Sequence, residues 1–197
     1  LIGAIQRAQH LIHLETYIFE PDRTGLDVAN ALINAARRGV SVNLVLDGFG
    51  TRLFPHDLLH DLLSAGVRVL FFRPELSLFS LQRHRLRRMH RKVALIDGRV
   101  GFVGGINIID DYNTLNQTPP RYDYAVRVEG PLLGMIYAAV RHMWWQGCWA
   151  QFKYHWLNLP RVPLQLTSHG TMDAAFVMRD NLRNRKGHRL ALRNLRR

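Results

Sequence analysis

The sequence predicts an α/β fold whose first strands form a parallel β-sheet. Short apolar segments of strand length alternate with segments of helical period in the order β-α-β-α-β, an order that favours parallel strands with right-handed crossovers. The chain has 197 residues, of which 47% are hydrophobic and 21% charged, as in globular proteins. It is therefore long enough to enclose one core without disulfide bonds.

The elements follow one another with few ambiguous stretches. The strands are mostly apolar, as strands buried on both faces are, and apolar residues recur every three to four positions in the helices. In chain order we predict a helix at 2–9, a strand at 11–20, a helix at 26–39, a strand at 40–47, a helix at 56–66 and a strand at 67–72. Residues 75–88 are loop-like and basic, and a strand at 122–130 precedes a helix at 131–149.

Between these two halves the sequence predicts a β-hairpin. Asp97-Gly98 is a two-residue turn signal, flanked by the apolar runs VALI and RVGFV. A turn centred there pairs residues whose numbers sum to about 195. His90 then lies opposite Gly105 and Asn107 lies opposite Arg88, while Arg88, His90 and Lys92 share one face of their strand.

The predicted hairpin gathers residues that suit phosphoryl chemistry at one end. A neutral imidazole at His90 can attack phosphorus, and the ammonium of Lys92 neutralises charge on the phosphate oxygens. Gly104 and Gly105 lack a Cβ and would let a phosphate approach the backbone, and Asn107 adds a neutral donor. We expect no metal and no other cofactor, because the side chains already supply the cations.

Two aspartates near this group receive different interpretations. Asp97 is seven residues from His90, roughly 23 Å along a strand that rises about 3.3 Å per residue, so we assign it a structural role at the turn. An attacking imidazole needs its second nitrogen held. Asp123 is our candidate for that carboxylate, and the alternative is a surface carboxylate at a strand start.

The spacing of five of these residues resembles a known signature. His90, Lys92, Asp97, Gly104 and Asn107 stand in the pattern H-x-K-x4-D-x6-G-x2-N of the phospholipase D superfamily. A chance match in a chain of this length is on the order of 10⁻⁴ to 10⁻⁵. Longer segments resemble the first half of a bacterial cardiolipin synthase of the shorter type without N-terminal membrane spans: LETYIFEPDRTG, AARRGVSVNLVLDGFGT, RRMHRKVALIDGRVGFVGGIN and DYAVRVEGP.

The resemblance implies a fold and a reaction. The fold is a phospholipase D-like mixed β-sheet flanked by helices on both faces, with one half-site. His90 is the implied nucleophile that forms a phosphohistidine, and Lys92 and Asn107 hold the phosphate. Asp123 matches the carboxylate that family members place on the imidazole. Glu15, at the end of the first strand, is carried over as a substrate-binding residue, although a structural ion pair is the favoured reading for it.

The resemblance also predicts the domain organisation. Residues 1–157 are expected to form the first phospholipase D-like domain, 158–177 a linker and 178–197 the start of a second domain. The superfamily's site uses two motifs, the second supplying the general acid, and this sequence contains one. Either the chain is a fragment lacking its second half, which we favour, or two chains pair their motifs in a homodimer.

Charge and aromatic residues suggest partners. The net charge is +12 and almost all of it comes from arginine, which favours phosphate-bearing partners unless it reflects a genomic arginine bias. The arginines at 83, 85, 87 and 88 either bind lipid headgroups or form a solvated loop. The four tryptophans at 144, 145, 149 and 156 either pack against the sheet, the favoured reading, or form a membrane-interface belt.

Three functions from different classes remain. The leading one is a cardiolipin synthase-like phosphatidyltransferase that uses phosphatidylglycerol at an anionic membrane surface. We place it peripherally on the cytoplasmic side of the bacterial inner membrane, consistent with a single cysteine, Cys148. The alternatives are a phospholipase D-type phosphodiesterase or nuclease active as a homodimer, for which nucleic acid is the less favoured substrate, and a non-catalytic basic module that binds phosphate.

Overall fold

A six-stranded mixed sheet forms the centre of the molecule, in a computed structural model that describes residues 1–73, 88–114, 118–168 and 174–177. The strands are β1 (Leu11–Thr16), β2 (Ser41–Asp47), β3 (Arg68–Phe72), β4 (Lys92–Ile96), β5 (Val100–Gly104) and β6 (Ala125–Val128). Their spatial order is β3-β2-β1-β4-β5-β6. β1, β2 and β3 are parallel, and β4, β5 and β6 continue the sheet with antiparallel pairings. The predicted mixed sheet is confirmed.

Helices cover both faces of this sheet, as the sequence predicts. They are α1 (Ile2–Arg7), α2 (Arg23–Arg37), α3 (His56–Ser64) and α4 (Leu132–Ala150). Alternate residues of the central strands separate two cores: Leu44 and Leu46 pack with residues of α1, α2 and α3, whereas Val45 packs with α4 residues such as Trp144. The sheet is therefore buried on both sides, which explains its continuous apolar strands.

Several element boundaries differ from the predictions by a few residues, and two of them have clear local causes. α2 begins at Arg23 rather than at 26, because the Asp22 carboxylate caps it by accepting from the Gly25 backbone N–H at 3.0 Å. β1 ends at Thr16 rather than at 20, where the Thr16 hydroxyl donates to the Ile18 carbonyl at 2.7 Å. The chain then leaves the ladder, and polar local bonds of this kind commonly mark such exits.

The predicted turn between β4 and β5 is present, but the predicted register is wrong by one residue. Asp97 and Gly98 have φ angles of 51° and 64°, as an Asp-Gly hairpin turn requires, and Arg99 donates its N–H to the Ile96 carbonyl at 3.0 Å. The ladder pairs Ile96 with Val100 and Lys92 with Gly104, sums of 196. Arg99 is thus an extra residue, which removes the predicted pairings of His90 with Gly105 and of Asn107 with Arg88.

The segment after the 3₁₀ turn at Tyr154–Trp156 packs along the domain. Val162 is buried, and the Gln165 N–H donates to the Gly98 carbonyl at 3.0 Å, so this part of the predicted linker contacts the β4–β5 turn. Residues 178–197 and the arginines at 83, 85 and 87 lie outside the described residues. The predicted domain boundaries therefore stay a prediction.

Candidate active site

Three side chains meet at the start of β4. His90 is exposed and lies two residues before Lys92, the first residue of β4, which is only 8% exposed. The Lys92 Nζ lies 3.3 Å from Nδ1 and 3.4 Å from Nε2 of His90. The Tyr17 ring centroid is 4.9 Å from that of the imidazole and 5.5 Å from the same Nζ. The predicted histidine–lysine pair is therefore in direct contact.

Burial shapes the electrostatics of Lys92. Desolvation lowers the pKa of its ammonium, and the negative charge of Asp123 acts in the opposite direction, with burial the larger effect. A partly dehydrated cation attracts a phosphate more strongly than a fully solvated one. Lys92 is thus suited to bind an anionic group presented beside the imidazole.

A buried aspartate that the sequence analysis missed holds the backbone next to His90. The Asp47 carboxylate, at the end of β2, accepts from the Met89 N–H at 2.6 Å through Oδ2. Its Oδ1 accepts from the N–H groups of Phe49 and Gly50 at 3.0 and 3.1 Å. Because Met89 is itself buried, Asp47 fixes the chain immediately before the nucleophile candidate.

Asp47 and Tyr17 both carried a signal in the sequence. Asp47 ends a buried parallel strand and is followed by Gly48, and functional side chains of α/β sheets gather beyond the carboxyl ends of such strands. Tyr17 follows the carboxyl end of the neighbouring strand β1. Applying that rule to β1 and β2 together would have selected both residues.

Asn107 is oriented by the backbone after β1. Its Oδ1 accepts from the Ile18 N–H at 3.0 Å, and Ile18 directly follows Tyr17, whose ring contacts His90. The Nδ2 group has no hydrogen-bond partner among the described residues and is left as a donor. The structure thus ties Asn107 to the same end of the sheet as the histidine–lysine pair.

Asp123 is not hydrogen-bonded to His90. It is exposed, its Oδ1 accepts from the Tyr124 N–H at 2.7 Å, and its carboxylate lies against Gly105. Its influence reaches Lys92, whose pKa it raises against the effect of burial. The orienting role assigned to Asp123 from the sequence therefore stays a prediction.

Asp97 has the strand-end role that the sequence analysis expected. Its carboxylate accepts from the backbone N–H groups of Gln9, His10 and Leu11, each at 2.8 Å. These groups precede and begin β1, at the opposite end of β4 from Lys92. Asp97 thus joins the β4–β5 turn to the start of the central strand β1 and takes no part in the histidine–lysine contact.

The packing around Gly104 and Gly105 gives a structural reason for glycine at both positions. A Cβ at Gly104 would collide with the backbone of Tyr124 and Ala125, and a Cβ at Gly105 would collide with the Asp123 carboxylate. The Gly105 N–H already donates to the Tyr124 carbonyl at 2.8 Å. The chain entering β6 approaches too closely for a side chain at either position, and their assignment to phosphate binding stays a prediction.

The assignment of Glu15 to substrate binding is also corrected. Its carboxylate is fully buried, and it accepts from the Arg91 Nε at 2.6 Å and contacts the His13 Nε2 at 2.8 Å. The Arg91 guanidinium also reaches the Ala139 carbonyl of α4 at 3.4 Å. Glu15 therefore joins the sheet to α4 in an ion pair, the structural alternative raised from the sequence.

Arg88 lies at the rim of the site. Its guanidinium stands 4.7 Å from the centroid of the Phe49 ring, and Phe49 belongs to the loop that Asp47 holds. Stacking uses the face of a guanidinium and leaves the N–H groups on its edge available for an anion. Substrate binding by Arg88 stays a prediction that this geometry permits.

Two features are absent from the described ranges. No group of three or more His, Cys, Asp or Glu side chains stands in a position to hold a metal ion. Within the same ranges, no helix combines the length and the apolar character needed to cross a bilayer.

The fold and the site indicate the class of this protein, and similarity to known proteins shows its family. A mixed sheet with helices on both faces, and a histidine–lysine pair at the start of an inner strand, is the architecture that a phospholipase D-like domain should have. The family model described as "Cardiolipin synthase, PLD-like domain" matches residues 1–119. The chain therefore belongs to this family.

Individual relatives agree with this assignment. The chain is 36% identical over 191 residues to cardiolipin synthase B of Salmonella typhimurium, covering 92% of this chain and 43% of the relative. It is 32% identical to cardiolipin synthase 1 of Bacillus anthracis over 157 residues, 79% of this chain and 31% of the relative. The chain thus spans less than half the length of these relatives.

A solved structure supports the fold alone. NucT from Helicobacter pylori superposes with a TM-score of 0.52 at 19% sequence identity, covering 72% of this chain and 83% of that chain. Similarity at this level of identity establishes a common architecture, and function must be argued from the site.

Proposed function

We propose that this chain carries one motif of a cardiolipin synthase-like phosphatidyltransferase, with His90 as the nucleophile. The observation that supports the proposal most directly is the contact at 3.3 Å between the exposed imidazole of His90 and the largely buried ammonium of Lys92. A nucleophile beside a fixed cation is the arrangement that attack on an anionic phosphodiester needs.

The first proposed step forms a covalent intermediate. An imidazole nitrogen of His90 attacks the phosphorus of phosphatidylglycerol, and a P–N bond forms as the P–O bond to the headgroup glycerol breaks. Lys92 and the Nδ2 group of Asn107 bind the oxygens on which negative charge increases. The glycerol alkoxide takes a proton and leaves.

The second proposed step regenerates the histidine. A glycerol hydroxyl of a second phosphatidylglycerol attacks the phosphorus and loses its proton, the P–N bond breaks, and cardiolipin is released. The acid that protonates the first leaving group and the base that accepts this proton would come from a second motif. That motif belongs to another part of a longer chain or to a second copy, in keeping with the fraction of the relatives that this chain spans.

The proposal is tested by measuring phosphatidylglycerol turnover. Cardiolipin, phosphatidic acid and glycerol are quantified for the wild-type chain and for His90→Ala, with the molar mass of each from light scattering. His60→Ala is the matched control, since His60 is exposed on α3 and has no contact with His90 or Lys92 among the described residues. If two copies of the chain complete one site, we expect the wild type and His60→Ala to release cardiolipin and glycerol in the same amounts as each other, and His90→Ala to lose at least about 10³-fold.

Other outcomes favour the other functions. Phosphatidic acid in place of cardiolipin would support the phosphodiesterase and contradict the transferase. Equal product from the wild type and His90→Ala would remove His90 from the chemistry. A monomer that binds phosphatidylglycerol and releases no product would support a half-site that lacks its second motif.

A further inference from the structure

We propose that the end of α4 and the turn after it form a docking surface for an anionic lipid bilayer. We call this surface the aromatic patch and define it by Trp145, Trp149, Phe152 and Tyr154. Their exposed fractions are 50%, 48%, 77% and 43%. The inference extends the proposed function, because a phosphatidyltransferase must reach lipids that reside in a bilayer.

The rings of the aromatic patch form one continuous surface. The centroid of Trp149 lies 5.6 Å from that of Trp145 and 4.8 Å from that of Tyr154, and Tyr154 lies 6.1 Å from Phe152. Single exposed apolar residues are ordinary on soluble proteins, whereas a contiguous group of large aromatic rings marks an interaction site. Trp and Tyr in particular have an apolar body and a polar tip, which suits the boundary between water and lipid.

The aromatic patch is not an unfinished part of the core. Trp144 and Cys148, on the opposite side of α4, are fully buried against the sheet, so the helix has already covered its apolar face. The turn after α4 is fixed to the outer edge of β3. There the Gln151 amide donates to the Phe71 carbonyl at 2.9 Å and the Lys153 ammonium to the Val69 carbonyl at 3.0 Å. The rings are therefore presented by a rigid support.

Charge indicates which occupant the aromatic patch fits. Residues 130–172 contain no aspartate or glutamate, while Arg141, Lys153 and Arg161 supply positive charge. Arg141 lies one helical turn before Trp145 and is exposed. Aromatic rings on a segment that carries cations and no carboxylate complement a surface that combines acyl chains with anionic headgroups. A bilayer that contains phosphatidylglycerol has both.

Tryptophan fluorescence gives a direct test, because all four tryptophans lie between residues 144 and 156. The 197-residue chain is mixed with phosphatidylcholine vesicles with and without phosphatidylglycerol, using acyl chains brominated near the headgroup as quenchers. We expect quenching and co-sedimentation with the anionic vesicles only. The Trp145→Ala/Trp149→Ala variant should bind at least tenfold more weakly.

Matched variants separate this surface from general effects. Leu26→Ala/Leu63→Ala removes two apolar side chains that are 43% and 44% exposed on α2 and α3, on the other face of the sheet, and should bind within twofold of wild type. Phe152→Ser, at the most exposed ring, should weaken binding by itself. Circular dichroism spectra that match wild type confirm that each variant is folded.

Three results would overturn the proposal. Vesicle binding that is unchanged in both aromatic-patch variants would place the lipid contact elsewhere. Equal binding to uncharged vesicles would remove the role of charge. A dimer that Trp145→Ala/Trp149→Ala dissociates without an effect on vesicle binding would make the aromatic patch a protein interface. Vesicle binding is measured without turnover, so its failure is distinct from failure of the transferase proposal, which the products of phosphatidylglycerol turnover test.

Discussion

Lys92 interacts with two groups that the sequence analysis assigned to the site, the His90 imidazole and the Asp123 carboxylate. It touches both ring nitrogens of His90, and its pKa is raised by Asp123 although burial lowers it more. Asp123 therefore has an electrostatic effect on the Lys92 ammonium. This effect is independent of the role at the His90 imidazole that the sequence predicts. The two effects act on different titrations and are separable by experiment.

Replacing Asp123 by asparagine should lower the pKa of Lys92 further. The carboxylate is the influence that raises this pKa, so its removal leaves burial unopposed. Lys92 then loses its proton at a lower pH, and affinity for a phosphate should begin to fall at a correspondingly lower pH. Carbon-13 labelling of lysine followed by NMR titration measures this directly, because the chain has only three lysines.

Lys153 serves as the internal control in the same spectra. Its pKa is lowered by burial and raised by Cys148, with no contribution from Asp123. Its titration should therefore be unchanged in Asp123→Asn. A Lys92 titration that is the same in both proteins would contradict the assigned effect of Asp123. A changed acid limb of turnover with Lys92 unaffected would instead support the orienting role predicted from the sequence.

At the scale of elements, β4 joins the site to the fold. Lys92 stands at its first residue, and Asp97 follows its last residue and accepts three backbone N–H groups at the start of β1. The two ends of the H-x-K-x4-D pattern thus have different roles. Lys92 contacts the His90 imidazole, and Asp97 holds the register between the neighbouring strands β1 and β4.

Asp97→Ala should destabilise the fold by about 2–4 kcal/mol. Three N–H groups lose their acceptor, and each buried unpaired donor costs about 1–3 kcal/mol, less where water can reach it as at Gln9 and His10. Urea unfolding followed by circular dichroism measures the change. Asp27→Ala, an exposed aspartate on α2, is the control and should stay within about 0.5 kcal/mol of wild type.

Asp97→Asn refines this prediction. The amide keeps an oxygen acceptor but lacks the charge and the second oxygen, so the loss of stability should be intermediate. If Asp97→Ala were as stable as wild type, the strand-end role would be wrong.

Cys148 lies on the face of α4 that packs against the sheet, so its reactivity reports whether the domain is folded. The thiol is fully buried, and burial raises its pKa to about 11, so the reactive thiolate is rare near neutral pH. Native protein at pH 8 should resist alkylation by iodoacetamide, while protein in urea should react fully. Intact mass measured over time distinguishes the two, and labelling of the native chain at the rate seen in urea would contradict this packing.

At this scale, the sequence predicts the features that depend on residues adjacent in the chain. The Asp97-Gly98 turn depends on two adjacent residues and was correct, whereas the register depends on Arg99 being accommodated as a bulge, which no local preference specifies. The glycines were identified, but their reason lies in the approach of β6, more than eighteen residues further along the chain. Glu15 likewise meets Arg91 only because β1 and β4 are neighbours.

At the scale of the whole molecule, the described residues form one six-stranded sheet and the sequence carries a single motif. The described residues cover the sheet on both faces and bring His90, Lys92 and Tyr17 into contact, with Asn107 fixed nearby. The family relationship and the pattern predicted this architecture because both depend on the periodicity of long segments. Partner and substrate depend on surfaces beyond the motif, and the sequence alone left them open.

The central claim is that His90 is the nucleophile, and a substrate with a good leaving group tests it most directly. Bis(p-nitrophenyl) phosphate releases p-nitrophenolate, which leaves as an anion and needs no general acid, so a single motif suffices for the first step. We expect a burst of about one p-nitrophenolate per chain and an acid-labile phosphoryl adduct mapped to His90 by mass spectrometry. A burst of equal size in His90→Ala, or an adduct on another residue, would contradict the claim.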